Sequence, residues 1–124
     1  MRYGAEHLTD DGSIVLVSGS PAKRPKPPQA ALAAVGASVE HLCRAIAPEL
    51  APKRINTVSP GIIDTPMFGP PSEERTRGVL ANTAQHLIPR GGTPDEVAKA
   101  IVFCVENDFV TGTNVDVDGG WLLG

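Results

Sequence analysis

The chain reads as an α/β protein, a short parallel sheet with helices packed on it. Three observations predict this. β-forming runs (Ser13-Ile14-Val15-Leu16-Val17-Ser18, Arg54 to Ser59, and Asn114-Val115-Asp116-Val117-Asp118) alternate with longer stretches of helical period. Such alternation implies right-handed crossovers and parallel pairing. The first run is continuously apolar, as strands covered on both faces are. The second stops abruptly at Ser59-Pro60-Gly61, where proline removes a ladder donor and glycine permits backbone angles that other residues avoid.

Composition narrows the function classes. A chain of 124 residues with 41% hydrophobic residues suits one small domain spanning 1–124. Aromatics are 4%, so the core must come from Ala, Val, Leu and Ile. A net charge of -3 gives no electrostatic case for nucleic acid or an anionic membrane. Cys43 and Cys104 have no metal-ligand spacing and sit in apolar helical patterns, so buried free thiols are expected and no metal site. No apolar run approaches the roughly 20 residues of a membrane span. Met1 to His7 is too polar for a signal peptide, so a cytoplasmic protein is expected.

In order, Arg2 to Leu8 reads as the last two turns of a helix, ended at Asp11-Gly12. The first strand comes next and runs into Gly19-Ser20-Pro21. Ala22 to Pro28 is a basic, proline-stiffened loop, read as solvated, with a phosphate or acidic-substrate contact as the alternative. Gln29 to Leu50 is a helix. Its apolar stripe is Leu32, Val35, Val39, Leu42, Ile46 and Leu50, and small residues crowd its first half.

After the second strand, Pro66 to Pro71 forms a turn and Ser72 caps a weak helix over Arg75 to His86. That helix is either an ordinary surface helix or a mobile lid. Thr93, Pro94 and Glu96 start another helix with a capping box. Val97, Ala100, Ile101, Cys104 and Val105 form its buried stripe. Thr111-Gly112 turns into the last strand, and Trp121-Leu122-Leu123 is an apolar tail. His7, His41 and His86 share no ligand spacing and are expected to face solvent. Asp116 and Asp118 are expected on the solvent side of the last strand.

The run Pro48-Glu49-Leu50-Ala51-Pro52, then Arg54-Ile55-Asn56-Thr57-Val58-Ser59-Pro60-Gly61, then Thr65-Pro66, resembles the C-terminal half of a short-chain dehydrogenase/reductase. The resemblance runs from about Gly12 to the end. It implies a Rossmann-like sheet of about three strands with flanking helices. It also implies NAD or NADP as cofactor, a small carbonyl or alcohol substrate, and homo-oligomerisation through the long helix. Carried over by position, Pro60, Gly61, the Ile63 main chain and the Thr65 side chain face the nicotinamide. A capping role before Pro66 is the alternative for Thr65.

The family's catalytic Ser, Tyr and Lys do not carry over. Gapless alignment places Gly19 at the Ser position, Leu32 at the Tyr position and Gly36 at the Lys position. Ser18 and Ser20 flank Gly19, and Ser20 is kept as the catalytic candidate. Gly91-Gly92 and Gly119-Gly120 lack the spacing of the family's pyrophosphate turn. Two functions are therefore expected as alternatives. One is a truncated family oxidoreductase, weakly active or inactive, with weak or no cofactor binding by this chain alone. The other is a non-catalytic binding or assembly module.

Overall fold

The computed structural model describes residues 4–124. Its sheet has three parallel strands, β1 (Ser13–Val17), β2 (Arg54–Pro60) and β3 (Asn114–Val117), in the order β1-β2-β3. The helices are α1 (Ala30–Leu50), α2 (Glu73–Thr83) and α3 (Pro94–Glu106). Register pairs Ser13 with Arg54 and Val17 with Val58, then Thr57 with Asn114 and Pro60 with Val117. The α/β reading and the parallel crossovers stand.

β2 is central and buried from Arg54 to Ser59. Its alternate side chains reach opposite layers. On one face, the Arg54 guanidinium donates to the carbonyls of Cys104 (2.7 Å), Val105 (2.8 Å) and Asn107 (3.0 Å) at the end of α3. Ser13, its register partner, donates to the Cys104 carbonyl at 3.2 Å. Asn56 on the same face donates to the Val110 carbonyl and accepts from the Thr113 amide, which fixes the turn into β3. On the other face, under α1, Ser18 donates to Glu40 at 2.8 Å. This layer is polar. Thr57 pairs in register with Asn114 and Ser59 with Asp116. Thr57 Oγ1, Ser59 Oγ and Asn114 Oδ1 are buried without a hydrogen-bond partner among the described residues. Buried groups of this kind are ordinarily met by ordered water.

Local signals hold well. Ser72 accepts from the Arg75 amide at the start of α2. Thr93 and Glu96 form the capping box of α3, with Pro94 in its first turn. Gly112 takes φ +68. Cys43 and Cys104 are free and buried.

Several expectations change. Arg2 and Tyr3 of the first helix lie outside the described residues, and the rest of that segment makes only a single 3-10 turn, Ala5–His7. β1 is only partly covered and Val17 is exposed; among the described residues no strand pairs along its outer edge. The α1 stripe does not point into the core: Leu32 and Val35 are 58% and 62% exposed, and Gly36, Glu40 and Cys43 are buried instead. Small residues let α1 approach closely, since a Cβ on Gly36 would stand 3.0 Å from the Ala22 Cβ. By length and composition α1 is long and apolar enough to cross a membrane, contrary to the expectation from apolar runs. Here it packs on the sheet.

Candidate functional site

The carboxyl ends of β1 and β2 open into a cleft of about 800 Å³, walled also by the first half of α1 and by Trp121. Ligands of open α/β sheets sit beyond this end of the strands.

On the β1 side, the chain leaves the sheet at Ser18. The Ser18 hydroxyl is committed to Glu40, whose second oxygen lies 3.9 Å from the Lys23 ammonium. Ser20 begins a 3-10 turn, Ser20–Ala22; it is buried and lines the cleft. Of the two flanking serines, Ser20 is thus the one whose hydroxyl is not held by Glu40. Leu32 and Gly36 line the same wall. Leucine has no proton to give, and glycine no charge.

On the β2 side, Pro60 closes the strand and the Gly61 amide donates to the Val117 carbonyl at 3.0 Å. A Cβ on Gly61 would lie 2.7 Å from the Asp118 Cα, so only glycine fits against that backbone. Ile63 forms a parallel bridge with Gly92. The bridge uses the Ile62 carbonyl (2.9 Å) and the Asp64 amide (2.8 Å). In an extended segment the Ile63 amide and carbonyl then point the opposite way. Thr65 precedes the turn Pro66–Phe68 and its side chain makes no cap bond, so the capping alternative is not taken. Pro60, Gly61, Ile63 and Thr65 all line the cleft. A main-chain amide and carbonyl outside the bridge, beside a hydroxyl with no hydrogen bond among the described residues, suit a carboxamide, which both donates and accepts.

Beyond this loop, Arg75 binds Asp64 at 2.7 Å and the Gly69 carbonyl at 2.9 Å. With Val79 and Thr83 buried, these bonds anchor α2, so the lid reading has no support.

The far end of the cleft was missed. His86 is buried, not solvent-facing, and its ring lies 5.2 Å from that of Trp121. Burial lowers its pKa below 6.5, against the pull of Asp118. The Arg24 guanidinium lies 4.1 Å from the Trp121 ring centroid and the Lys26 ammonium 4.0 Å. Arg24 also donates to the Trp121 carbonyl and to an oxygen of the terminal Gly124 carboxylate. Lys23 pairs with Asp116. The basic loop is exposed at Lys23 and from Pro25 to Pro28, as read from the sequence, while Lys23, Arg24 and Lys26 each also meet a partner within the chain. Asp118 lies past β3 and accepts from the amides of Gly120 (2.8 Å) and Leu122 (3.0 Å), so it closes a turn instead of facing solvent from the strand. The signal in the sequence was a lone tryptophan in a chain with a compact basic loop, but their meeting is tertiary.

A three-stranded parallel sheet with flanking helices defines a Rossmann-like α/β domain. Residues 1–122 match the family model described as enoyl-(acyl carrier protein) reductase. A short-chain dehydrogenase/reductase of Stachybotrys chlorohalonatus is 41% identical over 111 residues, covering 90% of this chain and 44% of that protein. A small-chain dehydrogenase solved in complex with NADPH superposes with TM-score 0.91 at 34% identity, over 99% of this chain and 57% of the other. A short-chain oxidoreductase of Pseudomonas aeruginosa, described as containing an atypical catalytic center, gives TM-score 0.79 at 30% identity, over 91% and 48% of the two chains. The chain belongs to the short-chain dehydrogenase/reductase family. It spans about half the length of the curated relatives it matches.

Proposed function

We propose that this chain carries the nicotinamide and substrate end of an NAD(P)-dependent oxidoreductase of a carbonyl/alcohol pair, with the family's general acid missing from its place. The observation that carries the reading is the grouping of the Ile63 main chain, the uncommitted Thr65 side chain and Ser20 around one cleft. A reduced nicotinamide bound there supplies hydride. Ile63 and Thr65 hold the carboxamide, Gly61 keeps the strand end close to Asp118, and Ser20 hydrogen-bonds the substrate oxygen. Leu32 cannot donate a proton, so a factor of ~10²–10⁴ from general acid catalysis is lost. That substitution, together with Gly36, also supports a second reading, a non-catalytic binding or assembly module. Self-association is part of the proposal, and two free buried thiols agree with a reducing cytoplasm.

The test is titration with NADPH and NADH, followed by amide NMR shifts at Ile63 and Thr65 and by calorimetry. The two surviving hydrogen bonds contribute roughly 0.5–1.5 kcal/mol each, against an association cost of about 4 kcal/mol or more. The surviving bonds do not cover that cost, so binding no tighter than about millimolar is expected, weakened roughly 2- to 10-fold in Thr65→Val. Binding that Thr65→Val leaves unchanged would overturn the assignment. Robust NADPH-linked ketone turnover would overturn the missing acid.

A further inference from the structure

The cleft has a charge asymmetry that the nicotinamide assignment does not use. Among the described residues that line it, Arg24 and Lys26 carry charge and no Asp or Glu is present, in a chain whose net charge is -3. Glu40 and Asp118, on the elements beside the cleft, are committed elsewhere. Glu40 accepts from Ser18 and faces Lys23. Asp118 accepts from the Gly120 and Leu122 amides. Arg24 is held by the Trp121 carbonyl and by an oxygen of the Gly124 carboxylate at the end of this 124-residue chain. Lys26 has no ion pair among the described residues; its ammonium rests on the Trp121 face, and its backbone amide donates to Gln29 Oε1 at 2.9 Å. Proline at 25, 27 and 28 stiffens the same loop. The rest of the wall is largely apolar, with Leu32, Val35, Val39 and Ile101 contributing.

We propose that the cleft takes a ligand with an apolar body and one carboxylate, the carboxylate lying at Lys26 with Arg24 behind it. This deepens the proposed function by naming its substrate class, a carbonyl or alcohol compound carrying an acid group. It rests on that function only in calling the ligand a substrate. A cation held on an aromatic face, without a counter-ion, gains a charge-assisted bond when an oxyanion arrives. The apolar wall supplies burial for the body. Cofactor phosphate is the other source of an oxyanion, and the probes separate the two.

The experiment uses the full chain at low ionic strength, where exposed charges are least screened. Three probes are titrated without cofactor: 4-phenylbutyrate, the uncharged 4-phenylbutyramide, and inorganic pyrophosphate. Emission from Trp121, the single tryptophan, and calorimetric heat give independent readouts. The acid is expected to bind roughly tenfold more tightly than the amide. Lys26→Gln should erase that preference without changing amide binding, and Lys26→Arg should restore it. Circular dichroism confirms that each variant is folded. Equal binding of acid and amide, or a preference that survives Lys26→Gln, overturns the proposal. Pyrophosphate binding more tightly than the acid assigns the cations to cofactor phosphate and also overturns it. None of these outcomes depends on Thr65 or on nicotinamide binding, so the two readings fail separately.

Discussion

Gly61 shows how one residue ties the sheet to the cleft. Its amide completes the ladder to Val117, and its missing side chain lets the backbone at Asp118 pass within what would be a Cβ contact of 2.7 Å. The obstruction is backbone, which cannot rotate aside. Gly61→Ala should therefore cost roughly 1–3 kcal/mol, the range for overpacking, read as a lower urea midpoint with an unchanged slope. A neutral substitution would show that the strand end is not fixed there. Pro60-Gly61 was legible in the sequence because a strand stop is a local event. His86 was not. Its burial depends on Trp121, 35 positions further along, and no spacing within one element encodes that contact.

Among the elements, α3 is the one whose two ends are both explained. Its start is written locally in Thr93, Pro94 and Glu96, where Arg90 and the Thr93 amide hold the Glu96 carboxyl down to about 2. Its end is supplied from the sheet, where the Arg54 guanidinium meets the carbonyls of Cys104 and Val105 in its last turn and of Asn107 just beyond. A fixed cation at a helix C-terminus also suits the helix dipole. Arg54→Met should cost about 2–3 kcal/mol, with α3 losing amide-exchange protection before β2. Uniform loss of protection across α3, β1 and β2 would sink the idea that Arg54 acts as a cap. The start of α3 could be read from four consecutive residues. The buried face of α1 could not, because its apolar stripe turns towards the cleft and solvent while Gly36 meets the turn at Ala22, Glu40 meets Ser18 and Cys43 meets β2. Periodicity identifies a stripe but not what it faces.

At the scale of the molecule, apolar surface remains uncovered. Among the described residues the outer edge of β1 is unpaired, Leu32 and Val35 stand out from α1, and Phe103 and Phe109 are exposed at and beyond the end of α3. Unpaired edges and apolar patches recruit further chains. Light scattering at micromolar concentration is expected to report more than one chain per particle; a sharp peak at 13.0 kDa would sink this expectation. Parallel pairing was readable from alternation alone, whereas the exposure was not, since a strand's composition does not say whether a neighbour will pair with it. Trp121 carries a consequence of another kind. Its indole touches the loop after β1 through Arg24 and Lys26, and the segment after α2 through His86. Three stretches remote in the chain thus converge on one chromophore. The protein has a built-in optical gauge: its emission registers whether the chain's start, middle and end have come together, before any label is attached.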